Sequence, residues 1–183
     1  VNTQRVGVIG GTRIPFCRNN TAYADVGNLG MSIKTLGALV EKYNLHGVEL
    51  GEVAFGSVIH HSSDWNLARE ATLSSGLAPT TPGLTLTRAC GTGLDAAIVV
   101  ANKIACGQIE AGIAGGSDTT SDVPIVYSRA LQQRFLRINR ARTPLDKLKA
   151  ALGGFSFKEL KPHLPGVAEP RTVTVSIEVN EVS

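Results

Sequence analysis

Four short apolar runs of strand length alternate with three longer amphipathic runs over the first 116 residues, and this order constrains the fold most. Arg5 to Gly10 (RVGVIG) reads as a buried strand that ends in Gly10-Gly11. Asn28 to Leu45 then places Leu29, Ile33, Leu36, Val40 and Tyr43 at helical spacing, with Gly47 as its stop. Glu52 to Ile59 is a second strand, and Asp64 to Ser75 a second helix with Leu67, Ala71 and Ser74 inward, closed by Gly76. Leu84 to Arg88 is a third strand. Gly93 to Cys106 is a third helix, with Leu94, Ile98, Ala101 and Ala105 on its inner face, and Glu110 to Gly115 a fourth strand. Alternation of this kind, with near-continuous apolar strands, predicts an α/β fold: a mostly parallel sheet with helices on its faces.

Composition narrows the class without adding detail. With 43% hydrophobic and 18% charged residues, the chain has too much aliphatic content for a disordered segment. Its longest apolar stretch, Ala96 to Ala101, falls far short of the roughly 18 residues that span a bilayer. No fixed repeat is present, and three widely spaced cysteines do not make a disulfide framework. Nothing from Val1 to Gly10 reads as a signal peptide, although a first residue of Val leaves a removed leader open. The expectation is a reducing compartment rather than secretion.

The net charge of +3 conceals an asymmetry. Residues 1–128 and 162–183 each balance at −2, whereas residues 129–161 carry +7. That shift in composition places a boundary near Pro124. After it come a basic helix from Ser128 to about Arg140, with Leu131, Phe135 and Ile138 on one face, and a short helix from Pro144 to Leu152. The charge is compatible with a solvated helix face, with the phosphates of a cofactor, with anionic lipid or with nucleic acid. No reader motif supports the last of these.

The stretch Thr87-Arg88-Ala89-Cys90-Gly91-Thr92-Gly93-Leu94 carries the most chemistry. A strand delivers Cys90 to a tight glycine turn and a helix starts at once. Backbone N–H groups at a helix start are unpaired and carry partial positive charge. They favour a thiolate nucleophile and can donate to an oxyanion forming on an attacked carbonyl. The competing reading is a small buried cysteine at a turn. Cys106 falls at the opposite end of the same helix, and Cys17 follows a strand exit, so both serve as controls.

Weaker candidates are structural. Val8-Ile9-Gly10-Gly11 lacks dinucleotide-loop spacing. His60 and His61 are adjacent on an extended segment, point opposite ways and complete no metal-ligand set. Ser117-Asp118 and Ser121-Asp122 read as caps and turns.

Arg13-Ile14-Pro15-Phe16, Asn66-Leu67-Ala68-Arg69-Glu70, Ala89-Cys90-Gly91-Thr92-Gly93-Leu94 and Ala114 to Pro124 (AGGSDTTSDVP) together resemble the thiolases. The branch that includes the thiolase subunit of fatty-acid β-oxidation complexes fits best, and residues 131–142 and 167–172 resemble it as well. The resemblance implies that residues 1–117 form most of a thiolase N-terminal α/β half and that 118–172 begin a helical loop domain. It implies that Cys90 accepts an acyl group from an acyl-CoA, its own N–H helping to hold the thioester oxygen. The reaction is then thiolysis of 3-ketoacyl-CoA by coenzyme A, or the reverse Claisen condensation, with coenzyme A as substrate and no resident cofactor or metal. A homodimer or higher oligomer, a hydratase/dehydrogenase partner subunit, and a cytoplasmic or mitochondrial-matrix location also follow from it. A β-ketoacyl synthase would share the fold and the cysteine, but fits the Arg13 to Phe16 and Gly115 to Asp118 wording less well.

After Arg171-Thr172 the family pattern continues Gly-x-Ser-Met-Gly, whereas residues 173–182 read VTVSIEVNEV, an alternating strand-like tail. The family's His-Gly-Gly and Asn-His motifs and its second active cysteine are not in this sequence. None of His46, His60, His61 or His163 sits in a matching motif. The expectation is a shortened chain that carries the nucleophile and does not turn over alone. The alternative is a non-catalytic piece that serves only in dimerisation or interaction.

Overall fold

The structure, a computed structural model, describes residues 5–153. The tail at 173–183 and the segment from 154 to 172 lie outside the described residues. Contacts divide the rest into two units, 5–122 and 123–153.

In the first unit, α1 (Asn28–Lys42) leads into β1 (Glu52–Gly56), followed by a 3₁₀ turn (Ser62–Asp64), α2 (Leu67–Ser75), β2 (Gly83–Leu86), α3 (Thr92–Ala105) and β3 (Gly112–Gly116). The strands form a parallel sheet in the order β2-β1-β3, with Val53 opposite both Gly83 and Ile113. The crossover through α2 therefore moves outward from β1 in one direction, and the crossover through α3 moves back past it. Because such connections are right-handed, reversing direction puts α2 and α3 on opposite faces of the sheet. Side-chain packing agrees. Val53 and Phe55 point to the face covered by Leu36, Val40, Ala68 and Ala71, while Ala54 points to Ala96 and Val100 of α3. All five residues of β1 are buried, as the central strand of a sheet covered on both faces must be.

The alternating α/β pattern with a parallel sheet is thus the observed fold, with four differences. Arg5 to Gly10 is not a strand: it pairs with nothing among the described residues, and Val8 and Ile9 are 70% and 90% exposed. An apolar run sets only a local preference, and a strand needs a neighbour to take its ladder hydrogen bonds. Among the described residues this run ladders onto neither the outer edge of β2 nor that of β3. The segment after it is tied to α1 instead, by Lys42 Nζ donating to the Gly11 carbonyl and Thr12 Oγ1 to that of Thr35, each at 3.1 Å.

The inner face of α3 is also not the expected one. Leu94 and Ile98 are exposed, and the buried positions are Thr92, Ala96 and Val100. Opposite Ala54 the helix presents Ala96 and Val100, with Ile104 packed beside them, and this face turns Leu94 and Ile98 outward. The other helices depart by less. α1 ends at Lys42, before the expected Gly47 stop, with Asn44 in the left-handed region at φ 54°. In α2, Ala68, Thr72 and Ser75 face the core rather than Ser74, and Gly76 closes the helix at φ 94° as expected.

In the second unit, α4 (Arg129–Arg140) is capped by Ser128, whose side chain accepts from the Leu131 N–H, and α5 (Pro144–Leu152) is capped by Thr143. Of the expected apolar face of α4, Leu131 is buried and Phe135 is exposed, its ring edge-on to Tyr127 at 6.3 Å. The basic run is not uniformly solvated. Arg134 Nη1 reaches the carbonyls of Ala150, Ala151 and Gly153 at 3.4, 3.2 and 2.6 Å, capping the C-terminus of α5. No helix among the described residues is long and apolar enough to cross a membrane.

Candidate active site

Three loops leave the carboxyl ends of the three strands, the edge where parallel α/β sheets assemble their sites. Asp118, two residues past β3, holds the loop after β1. Its carboxylate accepts from the amides of Val58 at 2.9 Å and Ile59 at 3.0 Å and lies 3.2 Å from Ser57 Oγ. Asn28, at the start of α1, donates from Nδ2 to Ser57 Oγ and to the Ile59 carbonyl, both at 2.8 Å. Its Oδ1 stays buried without a partner. Leaving such an acceptor unpaired costs about 1–3 kcal/mol, which the two donated bonds offset.

The two histidines at the end of this loop diverge, as adjacent residues of an extended segment do. His60 Nε2 lies 2.7 Å from Thr87 Oγ1, on the β2 side, while His61 Nε2 lies 3.0 Å from the carbonyl and 3.2 Å from the carboxylate of Asp122, on the β3 side. The Thr87 hydroxyl donates its single proton to the Ser57 carbonyl at 2.9 Å. Its oxygen is then left to accept from His60 in the tautomer that carries the proton on Nε2. No group of three or more His, Cys, Asp or Glu residues arranged to hold a metal occurs among the described residues. An open groove of about 500 Å³ is lined by His60, His61, Ser62, Trp65, Thr85, Leu86 and Thr87. Trp65, the chain's one tryptophan, is 79% exposed there.

Past Thr87 the chain makes the turn that presents Cys90. The Gly91 amide donates to the Arg88 carbonyl at 2.9 Å, and α3 begins at Thr92. The Thr92 hydroxyl is bonded twice, accepting from the Arg88 N–H at 2.8 Å and donating to the Ala89 carbonyl at 2.7 Å. Between those two groups sits Ala89, at φ 38°. Left-handed backbone costs a residue with a β-carbon roughly 1–2 kcal/mol. Each hydroxyl bond returns about 0.5–1.5 kcal/mol, enough together to hold the turn. Arg88 Nε also pairs with Asp95 at 2.9 Å, across the first turn of α3.

Cys90 is exposed at this turn, so it is not a small core residue. The first main-chain bond of the helix runs from the Asp95 N–H to the Gly91 carbonyl. The amides of Gly93 and Leu94 therefore have no acceptor within α3. Cys106 is also exposed but caps the other end of α3, and Cys17 is exposed in the irregular N-terminal segment. Exposure is common to all three, and among the described residues only Cys90 directly precedes the start of a helix.

Asp118 binds backbone amides of another loop, in keeping with a cap or turn residue rather than a chemical one. Two participants escape a reading of the sequence: the Thr92 hydroxyl and the Thr87–His60 pair. A threonine as first residue of a helix is a local signal for Thr92. The Thr87–His60 contact joins residues 27 apart and leaves no trace in a linear pattern.

A parallel sheet with an exposed cysteine at a strand-to-helix turn defines an α/β protein built around a candidate nucleophile. The chain belongs to the thiolase family: the family described as thiolase, N-terminal domain, matches residues 6–162. A 3-ketoacyl-CoA thiolase of Vibrio cholerae is 35% identical over 92% of this chain and 39% of its own length. The mitochondrial trifunctional enzyme subunit beta of Mus musculus is 35% identical over 92% of this chain and 35% of its own. The crystal structure of the Bacillus anthracis acetyl-CoA acetyltransferase superposes with a TM-score of 0.57 at 28% identity, over 64% of this chain and 28% of that one. The chain thus spans well under half the length of the relatives it matches.

Proposed function

We propose that this chain is a thiolase-type acyltransferase polypeptide in which Cys90 takes up the acyl group. The observation that carries the reading is an exposed cysteine at the amino end of α3 in a chain of the thiolase family. In the proposed reaction, the Cys90 sulfur attacks the 3-keto carbonyl of a 3-ketoacyl-CoA, and its oxygen takes the negative charge. The bond between carbons 2 and 3 breaks, the acyl group stays on sulfur, and carbon 2 takes, by way of water, the proton the Cys90 thiol gave up and leaves as acetyl-CoA. Coenzyme A then attacks the acyl-cysteine through its thiol and departs as the shortened acyl-CoA. In our reading, helix-start amides and the Cys90 N–H stabilise the oxyanion. Coenzyme A thioesters are substrates and no resident cofactor is involved. Homo-oligomers, a hydratase/dehydrogenase partner and a reducing compartment belong to the same proposal.

Full turnover needs a proton donor and acceptor placed at the reacting carbon. Lacking the family's His-Gly-Gly and Asn-His motifs, this chain alone is proposed to reach acyl-cysteine slowly, with water carrying the proton, and to stop there. Incubation with a 3-ketoacyl-CoA followed by peptide mass spectrometry tests the assignment. Acylation at Cys90, absent at Cys17 and Cys106 and lost in Cys90→Ser, is expected. Equal acylation of all three cysteines would sink it. Coenzyme A-dependent consumption of 3-ketoacyl-CoA by the isolated chain would contradict the proposed stop at acyl-cysteine.

A second reading, a non-catalytic interaction piece, is favoured by one observation. Among the described residues the outer edge of β2 has no strand partner, and α3 exposes Leu94 and Ile98. Light scattering on the eluting protein separates the two readings, since a stable monomer that becomes acylated leaves the second without support.

A further inference from the structure

We propose that Thr92 is the positioning residue for Cys90, holding the nucleophile's turn in a conformation that the backbone would otherwise leave. The inference rests on the reading of Cys90 as the acyl-accepting group. Its evidence is geometric and independent of that reading.

The Thr92 hydroxyl brackets Ala89: it accepts from the N–H of the residue before and donates to the carbonyl of Ala89 itself. Ala89 lies at φ 38°, where side-chain-bearing residues are seldom found, and it directly precedes Cys90. A strained residue persists only when its surroundings over-determine it. Two of the groups doing so here are on one oxygen. Thr92 is itself packed in place: it is 5% exposed, and its methyl lies against Gly56 at the end of β1. The position of the hydroxyl is therefore set by the sheet rather than by the turn. If the bracket is removed, Ala89 is free to return to negative φ, which rotates everything after it. The Cys90 side chain, one residue further on, then leaves its place at the start of α3. The aliphatic part of Thr92 packs, and its hydroxyl aims the cysteine.

The test uses the whole chain and measures alkylation of Cys90 by iodoacetamide, with Cys106 as reference in the same molecule. Thr92→Val keeps the shape and removes both hydroxyl bonds. It should lower the Cys90:Cys106 rate ratio by about tenfold, since alkylation goes through the thiolate and a helix start favours that form. Thr92→Ser retains the hydroxyl and should restore the ratio to within about twofold of the parent. General destabilisation would move both cysteines together and leave the ratio unchanged. Ala89→Gly supplies the second arm, because glycine occupies positive φ without strain. Added to Thr92→Val it should recover most of the lost ratio, and it also provides a variant should Thr92→Val alone fail to fold. An unchanged ratio in Thr92→Val, or no recovery in the double variant, overturns the proposal. The acylation experiment on the parent chain is separate. Failure there removes the role of Cys90, whereas failure here removes only that of Thr92.

Discussion

Gly56 at the end of β1 lies directly beneath Thr92 at the start of α3: a β-carbon at residue 56 would fall on the Thr92 methyl and press on the Leu86 carbonyl. The contact joins the central strand to the helix that carries the candidate nucleophile, and it leaves no room for any side chain. Gly56→Ala should therefore destabilise the protein by about 1–3 kcal/mol, the range for overpacking a filled interior. Because the helix start must move to admit the methyl, Cys90 alkylation should slow in the same variant. Urea unfolding and alkylation rates check both outcomes, and a Gly56→Ala chain as stable as the parent would show that the contact relaxes freely.

The reversed face of α3 yields a contrast within one helix. Ala96 is fully buried against Ala54, and Val100 is 5% exposed, whereas Leu94 and Ile98 are 56% and 46% exposed. Ala96→Val should cost about 1–3 kcal/mol by overpacking. Leu94→Gln and Ile98→Gln should stay within about 0.5 kcal/mol of the parent. Chemical unfolding of the three variants decides the matter, and the opposite order would put the sheet on the other side of the helix.

These two elements also show where a linear reading succeeds. The alternation of strands and helices, the glycine stop of α2 and the bounds of α5 follow from patterns a few residues wide, and such patterns act locally. The inward face of α3 escapes such a reading because hydrophobic spacing ranks faces by side-chain size. Packing on Ala54 instead selects the face of Thr92, Ala96 and Val100, where the small Ala96 sits at the closest approach. Arg5 to Gly10 misleads because a strand is a property of two segments, and one sequence run describes only half of it. The site divides in the same way. The strand-to-helix turn at Cys90 is legible from its glycines, while the Asp118 carboxylate on Val58 and Ile59 bridges about 60 residues and is visible only in the fold.

That bridge is itself open to measurement. Asp118→Ala strips the Val58 and Ile59 amides of their acceptor, and losing charge-assisted bonds of this kind costs about 1.5–3 kcal/mol each at most. The effect should be concentrated in the loop. Hydrogen exchange at Val58 and Ile59 should accelerate strongly while that of Val53 and Phe55 in β1 follows only the global loss. Uniform acceleration across both sets would mean that Asp118 serves overall stability without specifically fixing the His60 loop.

Glu52 and Lys103 form an ion pair in which the two partners differ in burial: the carboxylate side chain is 6% exposed and the ammonium 34%. Removing the outer partner therefore leaves a buried charge, whereas removing the inner one frees a lysine that reaches water. Lys103→Met should destabilise more than Glu52→Gln, by roughly 1–2 kcal/mol, discounted from the buried-pair range because Lys103 is partly solvated. Thermal unfolding of the two variants checks the order. Equal losses would indicate that Glu52 is hydrated well enough to stand alone.

In the basic segment, one arginine differs from the others by what it touches. Arg134 donates to three carbonyls at the end of α5, where a cation also meets the negative end of the helix dipole. Arg137 and Arg140 lie in the last turn of their own helix, α4, and are exposed. Arg134→Gln should therefore loosen α5, lowering amide protection from Lys147 to Ala151 and costing about 1 kcal/mol. Arg137→Gln and Arg140→Gln should leave α5 protection unchanged. Exchange measured in the three variants distinguishes a specific cap from a general effect of lowering the charge. If all three loosened α5 alike, the positive field of the segment, not the Arg134 contacts, would be what steadies it.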